Sequence, residues 1–195
     1  MSARNLEEAL IAEGIRQLRE NGMDGFSARA VADACHVSCA APFKYFRGRQ
    51  EFFLTISRHL DEELSKSMEA VLEQFPGRYK EAHLAMNEEY IGCLCKYPFL
   101  IDPSFWHTID ETQLGIRKWQ SFRMMADQFR AYCREHDIPE ALERAYYFNF
   151  QTLAYGSAFV INSGLMLEGE KPEDRIRELQ QRIYENLEKT AGIPR

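Results

Sequence analysis

Apolar residues recur at helical spacing along most of the chain. Ile11, Ile15 and Leu18 share one face and Gly22 follows as a stop, which predicts a first helix over about 4–21. Ala28, Val31, Ala32 and Cys35 repeat at i, i+3, i+4 and i+7 and predict a short second helix. Ser27 stands at its N-cap position, and Arg29 and Asp33 fall on the opposite, wet face. A third pattern opens at Ser38, another N-cap candidate, and runs CAAPFKYF. Read as an α-helix, it puts Cys39, Pro42, Phe43 and Phe46 on one side and Ala40, Ala41, Lys44 and Tyr45 on the other. Pro42 is tolerated because it falls in the first turn. Between these patterns lie Cys35, His36 and Val37, a tight turn with Val37 as its apolar plug and His36 where a positive φ is needed.

After a break at Arg47-Gly48-Arg49, a long helix is predicted from 49 to about 74, carrying Phe52, Phe53, Ile56, Leu60, Leu64, Met68 and Val71 and ended by Phe75-Pro76-Gly77. Further helices are predicted over about 78–96, 103–107, 111–136, 140–164 and 172–191. The stretch 145–167 is apolar nearly all round, with Ala154, Gly156, Ser157 and Ala158 in its middle, so it needs burial on more than one side. No strand-like alternation of useful length interrupts the series. The expected fold is all-α: a three-helix N-terminal domain over 1–48 followed by a larger helical domain over 49–195.

Composition adds limits. With 195 residues, 45% hydrophobic and 28% charged, the chain has material for a substantial core. It has no apolar run long enough for a membrane helix and no signal-peptide core, which makes the cytoplasm the expected location. The net charge is −6, but residues 1–60 carry eight Lys/Arg against seven acids. Between Arg29 and Arg49 the ratio is four to one, so positive field is concentrated there. Five cysteines without paired-ligand spacing read as reduced thiols, and the five His are scattered; neither a metal nor a cofactor is expected.

Two short helices with a tight turn form a helix-turn-helix, whose second helix enters the major groove of duplex DNA. Arg29, Lys44, Tyr45 and Arg49 are the phosphate candidates, being cations and a hydroxyl near helix termini. Ala40 and Ala41 are small enough to meet thymine methyls or let the backbone approach. Cys39, at the start of the expected recognition helix, is also a candidate redox thiol, because a helix N-terminus acidifies a thiol.

The segment from about Asn5 to Leu60 resembles the N-terminal domain of the TetR/AcrR family of bacterial transcriptional regulators. The resemblance rests on the Glu-Asn-Gly that ends the first helix, the Phe26-Ser27-Ala28-Arg29 opening of the second, and Val37-Ser38-x-Ala40-Ala41-Pro42-Phe43-x-x-Phe46. By resemblance the DNA-contacting set is Ser27, Arg29, Ser38, Cys39, Ala40, Ala41, Phe43, Lys44, Tyr45 and Arg49. His36 stands where the family commonly has Gly, Phe43 where a Tyr usually reaches a phosphate, and Cys39 where a basic or polar residue is frequent. Lys44-Tyr45 stands where an aromatic and a His are common. These departures bear on operator sequence and contact strength, not on fold.

The resemblance further implies a homodimer through the last two helices, a palindromic double-stranded DNA operator, and a small-molecule effector that releases a repressor. An effector pocket would draw on an aromatic-rich interior: Met86, Tyr90 and Cys93; Phe105, Trp106 and His107; Trp119, Phe122 and Met125; Tyr146, Asn149 and Phe150. Such a lining suits an apolar or flat aromatic ligand. The helix from 49 would link pocket to DNA domain. No nucleophile and base or carboxylate pair has recognisable spacing, so an enzyme is not expected. The alternative is a protein-interaction adaptor with a degenerate helix-turn-helix.

Overall fold

A computed structural model describes residues 3–109, 119–169 and 171–193. The fold is all-α: α1 (Ala3–Asn21), α2 (Ala28–Ala34), a 3-10 turn at Pro42–Lys44, α3 (Arg49–Gln74), α4 (Tyr79–Lys96), a second 3-10 turn at Pro98–Ile101, α5 (Pro103–Thr108), α6 (Gln120–Glu135), α7 (Glu140–Asn162) and α8 (Pro172–Ala191). The start of the helix predicted from 111 lies outside the described residues. No helix among the described residues is long and apolar enough to cross a membrane.

Contacts divide the chain into two compact units, Met1–Asp61 with Tyr97–Ile116, and Glu62–Lys96 with Arg117–Arg195. The first therefore extends past residue 48, and its phenylalanines explain why. Phe46 stacks on Phe52 with centroids 4.1 Å apart, and Phe26 meets Phe52 and Phe53 edge-on at 5.3 and 4.9 Å. Phe53 in turn stacks on Phe105 at 5.2 Å, so the start of α3 and all of α5 complete the core of this unit. Gly14 permits the fit, because a Cβ there would stand 3.0 Å from the Phe52 ring.

The second unit packs α4, α6, α7 and α8 around His83, which is fully buried among the rings of Phe129, Phe150 and Tyr184. Both ring nitrogens are engaged: Nδ1 lies 2.9 Å from the Tyr184 hydroxyl and Nε2 lies 3.0 Å from Asn87 Nδ2. The Asn87 amide nitrogen also donates to the His83 carbonyl at 2.9 Å, which fixes the amide's orientation. Nε2 must then accept, and the proton sits on Nδ1, facing the Tyr184 oxygen. Burial drives the His83 pKa down to about 3, so the imidazole is neutral. At one end of α8 Lys80 pairs with Glu188, which also accepts from the Tyr132 hydroxyl at 2.8 Å. Burial raises the Glu188 pKa, but these two partners outweigh it and hold the carboxyl below its usual range.

The continuous apolar stretch of α7 is only partly covered. Phe150, Ala154 and Ala158 are buried, whereas Phe148 and Phe159 on the other face are exposed, as are Leu165, Leu167 and, on α8, Leu179.

Candidate nucleic-acid interface

The geometry starts with the cap of α2. The Ser27 hydroxyl accepts from Ala30 N at 3.4 Å, and Ser27 N donates to the side chain of buried Gln17 on α1 at 3.4 Å. Ser27 thus orients one helix against another. Arg29, on the outer face, is exposed. The helix stops in a Schellman motif: His36 has φ 57°, its N–H reaches the Asp33 carbonyl at 3.1 Å, and Val37 N reaches the Ala32 carbonyl at 3.0 Å. Val37 is half-buried, and the Cys35 thiol points back to the Ala9 carbonyl at 3.6 Å. Burial, and then Glu13, raise the pKa of that thiol.

The reading segment departs from the expected α-helix. Ser38 to Ala41 form a turn and Pro42–Lys44 a single 3-10 turn. Pro42 has no N–H to offer the Ser38 carbonyl, which is taken instead by Ala41 N at 2.8 Å; Lys44 N and Tyr45 N likewise bond three residues back. The tighter winding redistributes the faces. Pro42 and Phe46 are buried as expected, but Ala41 turns inward and is also buried, while Phe43 turns out and Cys39 is exposed. Ser38, Ala40 and Lys44 are exposed and Tyr45 is half-buried. Cys39 opens no α-helix, so the helix-terminus argument for an acidified thiol does not apply to it.

Arg49, expected as a phosphate contact, is exposed, but its guanidinium is already engaged within the unit. Its guanidinium donates to the Met23 carbonyl and lies over the rings of Phe26 and Phe53, 5.6 and 5.1 Å from their centroids, clamping the start of α3 to the turn before α2. Beside it, Arg47 N is held by the Glu51 carboxylate at 2.6 Å. Arg47 and Arg58 are exposed and line an open recess of about 320 Å³ with Gly48, Arg49, Gln50, Glu51 and Leu54. Sequence spacing alone singled out neither arginine; the density of basic residues was the only signal.

In the second unit, four of the residues expected in a pocket meet at one small cavity: Tyr90, Phe122, Met125 and Phe150. Asn87, Tyr147, Gln151 and Ala154 complete its wall; its volume of about 10 Å³ is that of one water. Tyr90 donates to the Tyr155 hydroxyl at 3.0 Å, and burial raises the pKa of Tyr90 and pushes that of Tyr147 up to about 12. Met86 is buried, Cys93, Trp119 and Tyr146 are half-buried and Asn149 is exposed, and none of them lines this cavity. Phe105, Trp106 and His107 belong to the first unit, where Phe105 packs on Phe53 and the Trp106 indole donates to the Leu100 carbonyl at 2.7 Å. His107 is exposed.

A capped helix, a left-handed stop and an outward-facing reading turn make the first unit a helix-turn-helix, and the chain a DNA-binding transcription regulator. Residues 10–56 match the model of the bacterial regulatory proteins of the tetR family. No curated protein sequence matches the chain. Among solved structures, a protein of unknown function from Rhodococcus sp. RHA1 is similar with a TM-score of 0.75 and 19% identity, over 93% of this chain and 94% of that one. A candidate TetR-family transcriptional regulator from Mesorhizobium loti is similar with a TM-score of 0.65 and 12% identity, over 97% and 98% of the two chains. At such identities the likeness is one of fold.

Proposed function

We propose that the chain is a ligand-released repressor that binds a palindromic operator as a homodimer. The observation that carries this reading is the uncovered apolar face of α7 and α8, with Phe148 65% and Phe159 58% exposed, in a chain that also bears a helix-turn-helix. Two copies joined there would present two reading segments to successive major grooves, about 34–36 Å apart. Arg29, Lys44, Tyr45, Arg47 and Arg58 would hold phosphates, with Ser38, Cys39, Ala40 and Phe43 at the bases. The effector, a small apolar or aromatic molecule, would enter the α4–α6–α7 cavity by displacing rings from it. Residues of α3 up to Asp61 belong to the first unit and the rest to the second, which suits this helix to couple the two. The effector can shift operator binding only by its differential affinity for the two states. The regulator would act in the cytoplasm.

The test is sedimentation of the purified full chain together with selection from randomised duplex DNA. A dimer and an enriched palindrome are expected; a strictly monomeric chain, or no enriched sequence, overturns the proposal. Lys44→Ala then separates operator binding from an adaptor role, because the adaptor loses nothing by it.

A further inference from the structure

Phe43 is the sole large hydrophobic side chain exposed in the first unit among the described residues, at 62%. Its position is not that of a surface residue left over from the core, since the 3-10 turn that opens at Pro42 rotates it out while Ala41 is buried. Exposed Ala40 and Cys39 precede it, and no charged residue interrupts the run from Val37 to Phe43. The outward part of the reading turn is thus apolar from Cys39 to Phe43, and cations begin only at Lys44. Of the groups that base pairs present in the major groove, one is apolar: the thymine 5-methyl, which Ala and Phe side chains contact. A phenyl ring can offer no hydrogen bond to a base edge or a phosphate.

We propose that Phe43, flanked by Ala40 and Cys39, is a specificity residue that selects thymine at a fixed position of the operator through its 5-methyl group. The inference rests on the DNA-binding reading, and the experiment distinguishes the two. Randomised duplex DNA is selected with the purified full chain, and each thymine of the enriched site is replaced in turn by deoxyuridine, which removes the methyl and changes no hydrogen-bonding group. At one position the wild type is expected to lose about fourfold in affinity, the worth of one buried methyl-sized group. Phe43→Ala should bind the thymine and deoxyuridine duplexes equally, and Phe43→Tyr, which keeps the ring, should still discriminate. Because the side chain is exposed, circular dichroism should show both variants folded as the wild type is. Failure to enrich any sequence overturns the DNA reading and this inference with it. Enrichment with indifference to deoxyuridine at every position, or discrimination that persists in Phe43→Ala, overturns this inference alone.

Discussion

The two units differ in where they keep their polar groups. The first has a core of phenylalanine rings, with Arg49 as a lid whose charge lies against Phe26 and Phe53. The second encloses a chain of hydrogen bonds from Asn87 through His83 to Tyr184 at the centre of its rings. A ring core resists loss of volume poorly, because the hole left behind cannot be refilled, whereas an enclosed polar chain is most sensitive to loss of a partner or gain of a charge. The unit with the helix-turn-helix thus stands on rings that do not titrate, and the unit with the cavity stands on a buried imidazole that can.

The largest effect should follow from removing volume in the first unit. Phe52 is 1% exposed and touches both Phe26 and Phe46, so Phe52→Ala should cost about 3–5 kcal/mol in urea unfolding. A cost below about 1 kcal/mol would mean that the rings do not hold this unit together.

Next comes acid. His83 titrates at about 3 in the folded chain and at 6.5 when unfolded, so below pH 6.5 the unfolded chain binds a proton that the folded chain refuses. Stability contributed by neutral His83 is complete above the unfolded value and is lost as pH falls toward the folded one. From pH 7 to 5 the loss should be about 2 kcal/mol. Glu188 acts in the same direction, but only below its unfolded value of 4.5, so this window isolates the imidazole. Unfolding midpoints measured across it should slope in the wild type and flatten in His83→Gln. An unchanged slope in that variant would assign the acid sensitivity elsewhere. Tyr184→Phe leaves the His83 N–H without its acceptor and should cost about 1–3 kcal/mol at neutral pH.

Arg49 and Lys44 sharpen the comparison within the first unit. Loss of the clamp in Arg49→Ala should reduce stability by about 1–2 kcal/mol, from one hydrogen bond and two ring contacts. Lys44 is exposed, and Lys44→Ala should leave unfolding unchanged while weakening operator binding and lowering its salt dependence by about one counterion. Equal stability of the two variants would return Arg49 to the role of a simple phosphate contact.

What could be read from the chain follows a physical line. The 49–74 helix was legible because Phe52, Phe53 and Ile56 keep helical spacing between a Gly48 break and a Phe75-Pro76-Gly77 stop, and the His36 turn was legible because a two-helix motif leaves one place for positive φ. Both signals are local. The exchange of Ala41 and Phe43 was not legible, since a 3-10 turn advances about 120° per residue and a face assignment at the α-helical angle then fails. Nor was the role of Asn87, because its partner His83 is itself held by Tyr184, 101 residues further on. The same holds for Arg49, whose place at a helix terminus suggested a phosphate but whose partners are a carbonyl and two rings brought together by the fold.

The smallest effect concerns how helices stop. In the first unit α2 ends with His36 at φ 57°, and in the second α6 ends with Asp137 at φ 51°, where Ile138 N bonds the Cys133 carbonyl at 2.9 Å. The motif is the same, a left-handed residue followed by an apolar one, yet neither site holds the glycine that fits it without strain. An Asp side chain, short and polar, can bond to nearby backbone and is a more frequent tenant of this conformation than His. His36→Gly should therefore stabilise the chain by about 0.5–1 kcal/mol, and Asp137→Gly by less. Thermal unfolding of the two variants decides it. If Gly at 36 lowers the midpoint, the imidazole is bonding something that offsets its strained backbone, and the turn of the helix-turn-helix is held by that side chain and not by Val37.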